Sequence, residues 1–154
     1  MRIWRIGDAK RLIEKAKYNP LIRSIAVQVI KRRKVPHKDY LGQVRAIFDF
    51  VRSRVKYIKD PVGYDNLSSP IRTLIYTEAA DCEDFAVALA SLLESIGIPT
   101  KLKLVATRGP RYDHIYVLAG IPLDGKVKWM PLDATLARTK PMGYEVSYKK
   151  ARVF

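Results

Sequence analysis

The stretch Asp81-Cys82-Glu83-Asp84-Phe85-Ala86-Val87-Ala88-Leu89-Ala90-Ser91-Leu92-Leu93-Glu94-Ser95-Ile96-Gly97-Ile98-Pro99 decides the fold. Asp81 is a helix cap, Glu83 and Asp84 fill a first turn where negative charge suits the helix dipole, and Gly97 supplies a left-handed stop ahead of Pro99. Between these signals the sequence is apolar almost all round, from Phe85 through Leu93. A helix without a clear polar face is a central, buried helix, and the rest of the chain has to be arranged about it.

Downstream the period changes to two. Thr100 to Thr107, His114 to Ile121 and Val127 to Leu132 read as strands, and Asp124-Gly125 as a tight hairpin turn. Upstream lie three helices: Asp8 to Lys17; Pro20 to Lys34, with Asn19 as its cap; and a third from Asp39, where Leu41, Val44, Ile47, Phe48, Val51 and Val55 follow the three-four spacing. Residues Lys59 to Pro70 carry the punctuation of a long loop, and Ser69-Pro70 opens a short helix toward Tyr76. Helices followed by a meander, without internal repeats, give an α+β domain in which N-terminal helices and a buried Cys-bearing helix pack on an antiparallel sheet. Residues 1–154 are read as one domain: a basic N-terminal helical extension over 1–38, a core over 39–136 and a basic C-terminal tail over 137–154.

The 154 residues include 29 Lys+Arg against 15 Asp+Glu, a net charge of +14, with 48% hydrophobic residues. That hydrophobic share excludes a disordered polycation. Residues 1–60 hold +12, residues 61–100 hold −5 and residues 101–154 hold +7, so an acidic middle separates two basic flanks. Only two Gln and two Asn occur, a bias that resembles proteins from hot environments. A single cysteine excludes a disulfide framework and cysteine-rich zinc modules. The longest N-terminal apolar run, Leu21 to Ile30, is interrupted by Arg23 and is about half the length of a membrane span. Without a visible signal peptide or spanning segment, a cytoplasmic or virion-associated location is expected.

A thiol at a helix start meets unpaired amides and the positive end of the dipole, which favour thiolate. At Cys82 the neighbouring Asp81, Glu83 and Asp84 act in the opposite sense, so activation requires a further cation, for which histidine is the usual solution. A two-residue Asp124-Gly125 turn sets Leu123 opposite Lys126, hence Tyr116 opposite Asp133, and makes His114 and Asp133 diagonal neighbours on one face, about 7–8 Å apart in backbone. A bulge at Pro131 would instead shift the register by one and turn Asp133 to the other face. Taken singly, Cys82 reads as a small buried residue, His114 as a strand histidine and Asp133 as a turn former. Together they form a nucleophile, a base and its orienting carboxylate.

These residues resemble the transglutaminase-like superfamily, papain-related cysteine acyltransferases and hydrolases, and within it the compact bacterial and phage-encoded members. The resemblance covers Asp39 to Leu136. It is carried by Asp81-Cys82-Glu83-Asp84 through Gly97-Ile98-Pro99, by His114-Ile115-Tyr116-Val117, and by Trp129-Met130-Pro131-Leu132-Asp133-Ala134-Thr135, in the family's order. Tyr57-Ile58-Lys59-Asp60-Pro61 and Ser69-Pro70 resemble the family's segment leading to the Cys helix. Ala80 stands where many members have Gly, and Ala134 where many have Pro. The resemblance implies Cys82 as nucleophile, His114 as general base and acid, Asp133 as the residue fixing the imidazole tautomer, and the Cys82 backbone N–H as half of an oxyanion hole. Asn66, Tyr64 and Tyr76 are the side chains considered for the other half.

The activity implied is acyl transfer from amide bonds, with hydrolysis favoured over transamidation and a protein, peptide or cell-wall peptide as substrate. The alternative is a catalytically silent basic binding or virion-assembly protein of the same fold. No cofactor and no metal is called for: phosphate-cradling glycine loops and zinc-binding pairs are missing from the sequence, and the acids around Cys82 read as helix capping rather than a calcium site. Lys31, Arg32, Arg33 and Lys34 are a candidate contact for a polyanion, although a solvated helix end has the same composition. His37, in a Lys-rich linker, reads as a surface residue.

Overall fold

A computed structural model describes residues 5–57, 69–76, 79–137 and 139–154. The architecture is α+β. Helices α1 (Ile6–Ala16), α2 (Pro20–Arg32) and α3 (Tyr40–Arg54) surround α4 (Cys82–Ser95), and α4 lies on a four-stranded antiparallel sheet of β3 (Thr100–Ala106), β4 (His114–Leu123), β5 (Lys126–Leu132) and β6 (Lys150–Val153), in the order β5-β4-β3-β6. A parallel pair, β1 (Lys56–Tyr57) with β2 (Ala79–Ala80), stands apart from this sheet and runs straight into the start of α4. None of the described helices is long and apolar enough to cross a membrane.

Helix α4 owes its place to composition and its limits to local chemistry. Every residue from Glu83 to Leu93 is buried. Asp81 accepts from the amides of Glu83 and Asp84 at 3.1 Å each, and the Asp84 carboxylate returns to the Asp81 amide, so the acids flanking Cys82 form a capping box. At the other end Gly97, at φ +87°, lets the Ile98 amide reach the Leu93 carbonyl. The expected extension of α2 to Lys34 is corrected: the helix ends at Arg32, because Lys34 adopts φ +53° and the Val35 amide closes on the Ile30 carbonyl. The Asn19 cap holds, its side chain accepting from the Leu21 amide at 2.9 Å.

Alternation on β4 separates two faces. Ile115, Val117, Ala119 and Ile121 join the main core against α4, whereas Tyr116 and Leu118 pack on the opposite face with Val105, Trp129 and Val146. The turn residues Asp124 and Gly125 both have positive φ, 51° and 75°, the geometry of a two-residue hairpin. The β4–β5 ladder then runs unbroken from Leu123–Lys126 to Val117–Leu132. Pro131 pairs with Leu118 without a bulge, which an edge strand tolerates since its outer side needs no amide donor.

Two of the larger features differ from the sequence reading. The turn after Ser69-Pro70 is a π-helix, Arg72–Tyr76. Residues 150–153, assigned by sequence to a basic tail, form β6 along β3, and Val146 from the same stretch covers the outer face of the sheet.

Candidate active site

The fold brings the start of α4, the start of β4 and the end of β5 to one end of the sheet. The hairpin register leaves Asp133 just beyond Leu132, diagonal to His114, as the tight turn requires. His114 donates from Nε2 to Asp133 Oδ2 at 2.5 Å. The other carboxylate oxygen, Oδ1, accepts from the Thr135 hydroxyl at 2.7 Å and the Thr135 amide at 3.2 Å. Asp133 is thus held by three donors while only 2% exposed. This fixes the imidazole with Nδ1 as the nitrogen left for other work.

Cys82 is the first residue of α4 and partly buried. It shares one narrow pocket with Ile115, Tyr116, Asp133 and Thr135. Burial, and then the charge of Asp81, lift its thiol from 9.0 to about 12, against the opposing hydrogen bond from the Ile115 backbone N–H. That amide belongs to the residue following His114. Among the described residues no hydrogen bond joins the Cys82 thiol to the His114 imidazole.

Behind the imidazole lies a group that the sequence did not point out. The Tyr116 ring is 5.8 Å from that of His114 and tilted by 40° to it. Its hydroxyl donates to Glu145 Oε1 at 2.6 Å, an oxygen also bound by Lys103 Nζ at 2.5 Å, and Lys103 reaches the Tyr148 hydroxyl at 3.1 Å. Burial and the hydrogen bond to Glu145 raise the Tyr116 phenol far above its ordinary range. Lys103 and Tyr116 are opposed across β3 and β4, so pairing alone would relate them, but Glu145 lies 29 residues from Tyr116 and carries no periodic signal. On the other side of α4, Arg5 approaches Glu83 at 3.9 Å, with both side chains buried.

Of the remaining expectations, His37 is exposed. Tyr64, Asn66 and the side chain of Tyr76, considered as oxyanion donors, lie outside the described residues, as does most of the loop before Pro70. Among the described residues no group of three or more His, Cys, Asp or Glu is arranged to hold a metal ion.

A family model described as the transglutaminase-like superfamily matches residues 24–134, well over half of the chain. The chain belongs to this superfamily. The match begins inside α2 and ends one residue beyond Asp133. No curated protein matches the chain. Among solved structures, the chain is similar to a candidate cysteine protease from Cytophaga hutchinsonii, with 21% identity and TM-score 0.55 over 86% of this chain and 50% of that one. It is similar to Legionella pneumophila LapG, with 19% identity and TM-score 0.52 over 82% of this chain and 72% of LapG. It also resembles the periplasmic domain of Pseudomonas aeruginosa TgpA, with 15% identity and TM-score 0.53 over 82% and 47% of the two chains. At these identities the likeness is one of fold: the transglutaminase-like, papain-like arrangement of a Cys helix on an antiparallel sheet. The chain spans only half the length of the Cytophaga protein.

Proposed function

We propose that this transglutaminase-like protein is a cysteine-dependent acyl-transfer enzyme acting on amide bonds, with Cys82 as nucleophile, His114 as general base and acid, and Asp133 as the residue orienting the imidazole. The observation that carries the reading is the 2.5 Å bond from His114 Nε2 to a buried carboxylate, next to the strand amide that meets the Cys82 thiol. The cysteine-protease description of the Cytophaga relative supports it at the level of the family.

In this mechanism the Cys82 sulfur attacks the amide carbonyl as its proton passes to His114 Nδ1, and the oxyanion is met by the Cys82 backbone N–H. The C–N bond breaks as the amine takes that proton from the imidazolium, leaving a thioester. Water, deprotonated by His114, releases the acid; a primary amine in its place gives transamidation. Hydrolysis is favoured because no amine-binding group is evident beside the pocket among the described residues. With the thiol raised to about 12, proton transfer accompanies substrate engagement instead of preceding it.

The raised thiol also favours a second reading, a silent binding protein that keeps the fold. Turnover of labelled peptides and cell-wall fragments by wild type and Cys82→Ala decides between them. The enzymatic reading expects a loss of about 10⁴-fold or more in the variant, and a mass increase on Cys82 from trapped acyl-enzyme. Equal rates, together with iodoacetamide alkylation of Cys82 that His114→Ala does not slow, establish the silent protein. Partitioning of the acyl-enzyme toward an added amine alone would overturn the preference for hydrolysis.

A further inference from the structure

We propose that Arg108, Arg111, Lys149 and Lys150 form a basic rim beside His114 that binds acidic side chains of the substrate peptide. This rests on the reading of Cys82, His114 and Asp133 as an amide-processing site, and it adds a substrate class to that reading.

The rim is built by the fold. The loop between β3 and β4 leads directly into His114, and β6 begins next to the end of β3, with Lys150 paired to Ala106. Asp113 clasps the loop, accepting from the Thr107 amide at 2.8 Å and the Thr107 hydroxyl at 2.7 Å. Lys149 ties the two segments together, its amide donating to the Ala106 carbonyl at 2.8 Å and its Nζ to the Arg108 carbonyl at 3.2 Å. Lys150 Nζ sits 4.6 Å from the centre of the Tyr112 ring. All four cations are exposed, and none has an ion-pair partner among the described residues.

Among the described residues the acids at this end are already hydrogen-bonded, exposed Asp113 included, which accepts from Thr107. Glu145 binds Lys103 and Tyr116, Asp133 is buried against His114 and Thr135, and the acids around Cys82 are buried in the helix cap. Among the described residues the exposed charge on this loop and at the start of β6 is therefore positive in balance, Arg108, Arg111, Lys149 and Lys150 against Asp113, and such a rim attracts carboxylates and raises their local concentration. A peptide fits better than a nucleic acid. The described rings of these segments already carry cations, Tyr112 under Lys150 and Tyr148 under Lys103, and are not arranged as an open platform for stacked bases.

The test uses Cys82→Ala protein, which retains the rim without turnover. Its probes are a labelled glutamate-containing peptide, the same peptide with glutamine, and a single-stranded oligonucleotide, read by fluorescence anisotropy at low and high salt. The glutamate peptide is expected to bind about tenfold more tightly than its glutamine counterpart at low salt. Adding Arg108→Gln and Arg111→Gln should erase most of that preference, because the loop is held by backbone groups of residue 108 and side chains of Thr107 and Asp113. Equal binding of the two peptides overturns the proposal. So does a glutamate preference that survives the double substitution, or an oligonucleotide bound more tightly than the glutamate peptide through the same arginines. If wild type processes no amide while the glutamate preference still depends on Arg108 and Arg111, the rim stands and the enzymatic reading falls.

Discussion

The two ends of the sheet treat charge differently. Where α4 terminates and β3 begins, cations meet partners: Lys17 Nζ lies 2.8 Å from Glu14 and 3.8 Å from Glu94, and Arg23 donates to the Ser95 carbonyl at 3.1 Å. Lys17, Arg23, Glu94 and Ser95 border a cleft of about 570 Å³ together with Tyr18 and Pro99. Where β4 begins and β5 ends, the carboxylate of Asp133 is buried against His114, that of exposed Asp113 is taken up by Thr107, and the exposed cations of the β3–β4 loop and β6 have no ion-pair partner among the described residues. Arg23 at a helix C-terminus completes the fold, since it satisfies a last-turn carbonyl and the negative end of the dipole. Among the described residues the side chains of the loop arginines have no ion-pair partner, and this difference separates charge used for structure from charge available to a partner.

Substitutions at the two ends should therefore diverge in activity first. Asp133→Asn, which keeps the shape but weakens the orienting bond, is expected to lower kcat/KM by about 10²–10⁴-fold. Glu94→Gln at the far end is expected to leave it unchanged, and matching losses from the two variants would erase the functional contrast. Between the ends, Leu92 is 0% exposed in the middle of the core, and Leu92→Ala should cost about 2–5 kcal/mol in urea denaturation. A negligible cost would remove α4 from its central role.

The thiol supplies a third contrast, through pH. Its folded value is raised to about 12 from 9.0, so the folded state keeps the proton after the unfolded state has lost it. This contribution to stability is complete below pH 9 and declines as pH rises toward 12, by about 1.4 kcal/mol per pH unit at most. Denaturation profiles of wild type should fall more steeply over that window than those of Cys82→Ala, and parallel profiles would contradict the burial of the thiol. The smallest effect belongs to Asn19→Ala, which removes an exposed cap at the start of α2 and should cost about 1 kcal/mol without altering turnover.

The sequence was most informative where one local signal had one geometric consequence. Asp124-Gly125 forced a tight turn, the turn forced the register, and the register brought His114 and Asp133 within reach of one bond. Asp81 and Gly97 likewise bounded α4 through backbone groups that any helix leaves unpaired. Strand β6 was hidden because Lys150, Ala151, Arg152 and Val153 are all exposed: an edge strand held by ladder bonds alone needs no alternating pattern. The two-residue strands β1 and β2 are too short to show a period at all. Glu145 beneath Tyr116 was invisible for another reason, since a part-buried contact between distant segments leaves no mark in either.

Asp133 spends both carboxylate oxygens on its neighbours, so the imidazole cannot turn over without breaking its bond to a buried carboxylate. The consequence is spectroscopic. The Nε2 proton of His114, shared with a buried carboxylate, should give a low-field NMR resonance that exchanges slowly with water and persists when Cys82 is replaced by alanine, a signature of order that precedes any encounter with substrate.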